Sequence, residues 1–110
     1  MTNPIFEQFK TEIAENDIVL YMKGTPDMPM CGFSAAAVAA FQNLGATNIY
    51  GVNVMEDENI RQSIKEFSEW PTLPQIYVKG EFLGGCDIIR EMYETGELKA
   101  LLEEKGVLAA

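Results

Sequence analysis

Cysteine is scarce in this chain of 110 residues: Cys31 and Cys86 are the only two. Two are too few for a disulfide framework, and neither has the paired spacing of a zinc site, so a reducing compartment, the cytoplasm, is expected. Cations are scarce too. Eight Lys and Arg stand against seventeen Asp and Glu, a formal charge of -9, which argues against a nucleic-acid or acidic-membrane partner, since both need clustered basic side chains. No apolar run approaches the roughly 18 residues that cross a bilayer, and the first residues lack a basic segment followed by an apolar core. A soluble, unexported protein is expected. Repeats, linkers and low-complexity stretches are likewise missing.

Apolar residues are plentiful. At 47% of the chain they suffice for one domain, spanning 1–110, to bury a core without staples. Asn3 before Pro4 signals a helix start, and Ile5, Phe6, Phe9 and Ile13 follow at helical spacing until Asn16 and Asp17 end it. Residues 18–22 are a short, partly β-branched apolar run suited to a central strand. Pro26 and Pro29 make 24–30 a loop. Alanine-rich 34–44 predicts a helix with Gly45 as its stop. A strand over 49–54, a helix over 57–68, a proline-broken stretch around Pro71 and Pro74, and a hairpin of 75–78 with 81–83 follow. Asp87 reads as the N-cap of a helix ending near Gly96, and a last helix runs from 97 to about 105. The order αβαβαββαα, with one parallel unit and one hairpin, implies the α/β class and a mixed four-stranded sheet flanked by helices on both faces.

Against the acidic background, with its runs at Glu56-Asp57-Glu58 and Glu103-Glu104 read as solvated faces, Lys23 and Arg61 suggest a local positive patch for an anionic small molecule. Cys31-Gly32-Phe33-Ser34 places one thiol where a Cys-x-x-Cys motif has two, with Ser34 in the second slot. A dithiol can close its own disulfide; a lone thiolate must recruit a second sulfur from a small thiol or another chain. At a helix N-terminus the free N–H groups and the macrodipole favour the thiolate, and Lys23, at the end of the adjacent strand, could add its charge. The bland competitor is an inert, buried cysteine.

Five strings, Lys23-Gly24-Thr25-Pro26, Cys31-Gly32-Phe33-Ser34, Trp70-Pro71-Thr72, Leu73-Pro74-Gln75 and Gly84-Gly85-Cys86-Asp87, occur in an order and spacing that resemble the monothiol glutaredoxins of the Cys-Gly-Phe-Ser class. The resemblance runs from about Ile5 to Leu102. It implies a thioredoxin-like fold and a glutathione site, in which Lys23 and Arg61 face the glycyl carboxylate. It also implies a cis bond between Leu73 and Pro74 that leaves the backbone of Leu73 free to pair with the cysteinyl part, with Thr72 as a local polar contact. Gly85, Cys86 and Asp87 would hold the γ-glutamyl end at a helix N-terminus, Asp87 accepting from its ammonium while also capping the helix. Trp70 reads as a packed corner, although the family keeps it near the groove. Met22, Met55 and Met92 read as fillers of strand and helix positions; Met28 and Met30, which flank Pro29, read either as a flexible apolar surface for a partner or as packing for the loop, with packing the favoured of the two.

A two-iron cluster needs four thiolate-class ligands, and one chain offers Cys31 at the site. The resemblance implies a homodimer in which two copies of Cys31 and two glutathiones supply one ligand each to a [2Fe-2S] cluster, hetero-complexes with BolA-like proteins, and transfer to apo iron-sulfur proteins. A rival set of four, Cys31 and Cys86 from each of two chains, is disfavoured because Cys86 falls in the ligand cradle. A different class of function is a glutathione-dependent thiol-disulfide oxidoreductase, Cys31 attacking a glutathionylated protein; the loop 24–30, longer than in dithiol glutaredoxins, argues for little turnover. An adaptor with an idle motif is the third class.

Overall fold

Ile18–Met22 are buried at all five positions and form the central strand β1. A strand buried on both faces sends alternate side chains into two cores, and β1 does so. Ile18, Leu20 and Met22 pack with Val38, Phe41, Ile76, Ile89, Leu98 and Leu102, whereas Val19 and Tyr21 pack with Phe9, Ile13, Val54, Ile64 and Tyr77. The first core lies under α2 (Gly32–Asn43), α4 (Cys86–Thr95) and α5 (Glu97–Glu104); the second lies under α1 (Ile5–Glu15) and α3 (Glu58–Ser68). Around β1 the sheet has the order β2-β1-β3-β4, with β2 (Ile49–Asn53) parallel to β1, β3 (Gln75–Val78) antiparallel to β1, and β4 (Glu81–Gly84) antiparallel to β3. Edge-to-face contacts of Phe9 with Tyr21 and Phe67, at 5.3 and 5.4 Å, stiffen the second core. This is a computed structural model that describes residues 3–108. Among them no helix is long and apolar enough to cross a membrane.

The element order is the one the sequence predicts, and the differences lie at the ends. Pro4 occupies the cap position of α1, yet Asn3 still serves it: its Oδ1 accepts from the Ile5 N–H at 3.0 Å, while its Nδ2 donates to Ser63 Oγ at 2.9 Å and ties α1 to α3. α2 starts two residues earlier than expected, at Gly32, so that Cys31 is itself the N-cap residue. β2 ends at Asn53, and Met55 lies in the turn beyond it, 51% exposed rather than filling a strand. α4 begins at Cys86 with Gly85 as its cap. Asp87 therefore stands in the first turn and does not cap the helix. Gly84, at φ 126°, turns the chain more sharply than a side-chain-bearing residue could, which brings the helix start forward.

Candidate functional site

The loop from Gly24 to Met30 is a small closed ladder. Thr25 and Met28 exchange backbone bonds at 3.1 and 3.0 Å, and the Met30 N–H donates to Lys23 O at 2.9 Å. Gly24, at φ 89°, starts the turn, and its N–H donates to Asn53 Oδ1 at 3.0 Å, which anchors the loop to the end of β2. Gly51 leaves room for Pro26 to lie on β2; a Cβ there would come within 2.6 Å of Pro26 Cγ. That contact accounts for glycine inside a strand.

This loop delivers Cys31, partly exposed, to the N-terminus of α2. Ser34, in the slot of the missing second cysteine, is fully buried, and its Oγ accepts from the Lys23 N–H at 3.1 Å, joining the end of β1 to the first turn of α2. The thiol of Cys31 is held below its ordinary range. The backbone N–H of Ser34 is the main cause, with smaller help from the Phe33 N–H, the Ser34 hydroxyl and the charge of Lys23, against the opposing effect of partial burial. A Cβ on Gly32 would meet nothing within 4 Å among the described residues beyond its chain neighbours.

Beside the thiol runs a groove of about 640 Å³. Lys23, Arg61, Thr72, Leu73, Gly85, Cys86 and Asp87, all singled out from the sequence, line it. Pro74 sits behind: it is buried, its bond to Leu73 is cis, and its carbonyl oxygen would be 3.4 Å from a Cβ on Gly85. Cys31 is not among the lining residues, but its neighbours Lys23 and Phe33 are. Cys86 is buried at the start of α4. Trp70 is both corner and wall. It lines the groove and stacks edge-on against Phe82 at 5.6 Å, and its buried indole N–H has no acceptor among the described residues.

Two features escaped the sequence reading. Lys65 joins Lys23 and Arg61 in the groove, one helical turn beyond Arg61 on α3; the i, i+4 spacing was the signal that could have found it. None of the three cations is in an ion pair among the described residues, where the pairs are Lys10–Glu7, Lys79–Asp17 and Lys105–Glu81. Asp87 is the one acid in the lining, so the groove is basic in an acidic protein. The second goes against the favoured of two readings. Met28 and Met30 are 75% and 65% exposed and Phe33 is 58% exposed, so large apolar side chains face solvent on both sides of Cys31 in the chain. The backbone groups of Met28 and Met30 close the loop ladder while most of each side chain faces solvent. Among the described residues no three side chains of metal-ligating type converge.

Residues 18–83 match the family model described as Glutaredoxin. A probable monothiol glutaredoxin 2 of Rickettsia typhi is 44% identical over 108 residues, which covers 98% of this chain and 96% of the relative. The solution structure of reduced poplar apo GrxS14 superposes with a TM-score of 0.79 at 45% identity, covering 89% of each chain. The crystal structure of a buckwheat glutaredoxin-glutathione complex has the same fold, with a TM-score of 0.81 at 22% identity, over 94% of this chain and 92% of that one.

Proposed function

The chain belongs to the glutaredoxin family, as a monothiol member with a thioredoxin-like fold, and from that premise we propose that it holds a [2Fe-2S] cluster together with glutathione and passes it to apo iron-sulfur proteins in the cytoplasm. The observation that carries the reading is the single thiolate-favouring Cys31 beside a groove of unpaired cations, with a buried serine where a second thiol would close a disulfide. Such a sulfur can neither resolve its own mixed disulfide nor complete a cluster; both tasks need sulfur from outside.

Glutathione fits the groove by chemistry. It brings two carboxylates, one ammonium and one thiol, and the lining offers three cations, one carboxylate and a segment of backbone. Lys23 and Arg61 would hold the glycyl carboxylate. The backbone of Leu73, before Pro74, would pair with the cysteinyl residue, with Thr72 beside it. The N–H groups at Gly85 and Cys86, at the start of α4, would take the γ-glutamyl carboxylate, and Asp87 in the first turn its ammonium. Bound in this way the ligand contributes a second thiolate next to Cys31. Two such units make the four ligands of a cluster shared by a homodimer, and one unit facing a BolA-like protein leaves half the set to that partner. The cluster is cargo, held at a partly exposed cysteine, as suits transfer.

The test is anaerobic reconstitution with iron and sulfide, with and without glutathione, followed by visible absorption and mass in solution. Glutathione-dependent colour with a doubled mass is expected. Cys86→Ser should keep both, because Cys86 lines the ligand groove rather than supplying a cluster ligand; a colourless Cys86→Ser protein would restore the four-cysteine set. A colourless monomer under all conditions would shift the assignment to thiol exchange. That second reading is favoured by the depressed Cys31 thiol. Its thiolate would displace the protein sulfur from a glutathionylated protein, forming a Cys31-glutathione disulfide that a second glutathione cleaves, releasing oxidised glutathione.

A further inference from the structure

Gln75 takes no part in the site as described so far, yet it is completely buried at the start of β3, among Ile76, Tyr77 and Val78 and opposite Tyr21 of β1. An apolar residue is the ordinary occupant of such a position. Both protons of its amide are spent on the strip that forms one wall of the groove: Nε2 donates to Trp70 O at 3.0 Å and to Thr72 O at 3.2 Å. The amide's own oxygen, Oε1, is left buried without a partner among the described residues. A buried unpaired acceptor is a penalty that an apolar side chain would avoid, and the two bonds to the strip are what glutamine gains against it.

Through the geometry of the peptide unit those bonds also act on the groove. In a trans peptide the C=O and the following N–H point in opposite directions. Thr72 O is drawn inward to Gln75, so the N–H of Leu73 is turned away from Gln75, and Leu73 lines the groove. No acceptor for that N–H occurs among the described residues. Pro71 and Pro74 have no N–H, so the strip cannot fix its own carbonyls through a local ladder. We propose that Gln75 is a positioning residue for the ligand backbone: by gripping Trp70 O and Thr72 O from the core side, it aims the Leu73 N–H into the groove, where the cysteinyl carbonyl of glutathione would accept from it. This rests on the groove being the glutathione site. It explains why a donor with two protons is needed. An ionised glutamate has none, and a methionine of similar length leaves both carbonyls free to turn.

Reduced glutathione is titrated calorimetrically into the wild-type chain, Gln75→Met and Gln75→Glu, with the pH profile of Cys31 alkylation recorded for each. Gln75→Met should lose about tenfold in affinity, the scale of one hydrogen bond, while its alkylation profile stays in place, since the N–H groups that hold the thiolate belong to α2. Gln75→Glu should lose at least as much at about pH 8. Relative to wild type it should recover towards about pH 5, because a buried carboxyl takes up its proton readily and can then donate to one carbonyl. Wild type that binds, with Gln75→Met within twofold of it, overturns the role of Gln75 alone. Wild type that does not bind overturns the glutathione reading, and this proposal with it. If Gln75→Met does not fold, the pH dependence of Gln75→Glu decides: affinity in constant ratio to wild type across the range overturns the proposal.

Discussion

Cys31→Ser is expected to abolish cluster retention and thiol exchange completely while leaving the melting temperature unchanged or slightly raised. Loss of function follows because a serine hydroxyl stays protonated near neutrality and is a poor ligand for iron. The unusual half is the stability. Cys31 is the N-cap residue of α2 and makes no side-chain cap bond; the N–H groups of Phe33 and Ser34 instead face its sulfur. Serine is among the preferred N-cap residues, worth about 1 kcal/mol over residues that cannot cap. At low pH, where the thiol is neutral, the serine variant should therefore match or exceed wild type. The comparison must shift with pH. The folded thiol titrates below its unfolded value, so its contribution to stability is fully present above the unfolded value and is lost as pH falls through the lowered folded one. Denaturant melts of the two proteins from about pH 6 to pH 9 should show wild type gaining on the variant as pH rises. A difference that stays flat would mean that the thiolate gains nothing from the helix N-terminus.

Legibility in the sequence followed the kind of signal each residue sends. β1 was readable because five consecutive apolar residues admit one arrangement, a strand buried on both faces. The fold and most of the groove were readable because five short motifs agree with each other and with the periodicities between them. What escaped was set by local geometry that composition does not encode. Gly32 has low helix propensity, so α2 was expected to start after it, yet the loop ladder already holds Cys31 in cap geometry. Asp87 is a good capping residue by type, and the turn at Gly84 and Gly85 forestalled it. Met28 and Met30 flank a proline in a loop, where residue type alone does not separate packing from exposure, and both are exposed. Lys65 was hidden among helix-surface cations, and only its placement one turn from Arg61 shows which side it shares. Gln75 belongs to one of the five motifs, but its two hydrogen bonds depend on the path of a loop with two prolines.

Gly24→Ala is expected to destabilise the protein by about 2–4 kcal/mol and to return Cys31 towards the reactivity of an ordinary thiol. Two costs add. Gly24 has φ 89°, which an L side chain tolerates poorly. A Cβ at that position would also run into Met28 O and would stand 2.6 Å from Met30 N. These are backbone atoms, and they are engaged: Met28 O accepts from Thr25 and Met30 N donates to Lys23. The methyl group therefore cannot be absorbed by a rotamer change, and the ladder must open. Opening it frees the segment that presents Cys31, so the sulfur moves relative to the Ser34 and Phe33 N–H groups that favour the thiolate. Gly45→Ala is the matched control. Gly45 has the same φ of 89° at the end of α2 but open space around its Cβ, so it should lose about 1 kcal/mol and leave the thiol as it was. Denaturant melts and the rate of iodoacetamide labelling against pH separate the two variants. Should Gly24→Ala label with the wild-type profile, the loop would not be what holds Cys31 at its helix, and the Ser34 bond to Lys23 would have to do so alone.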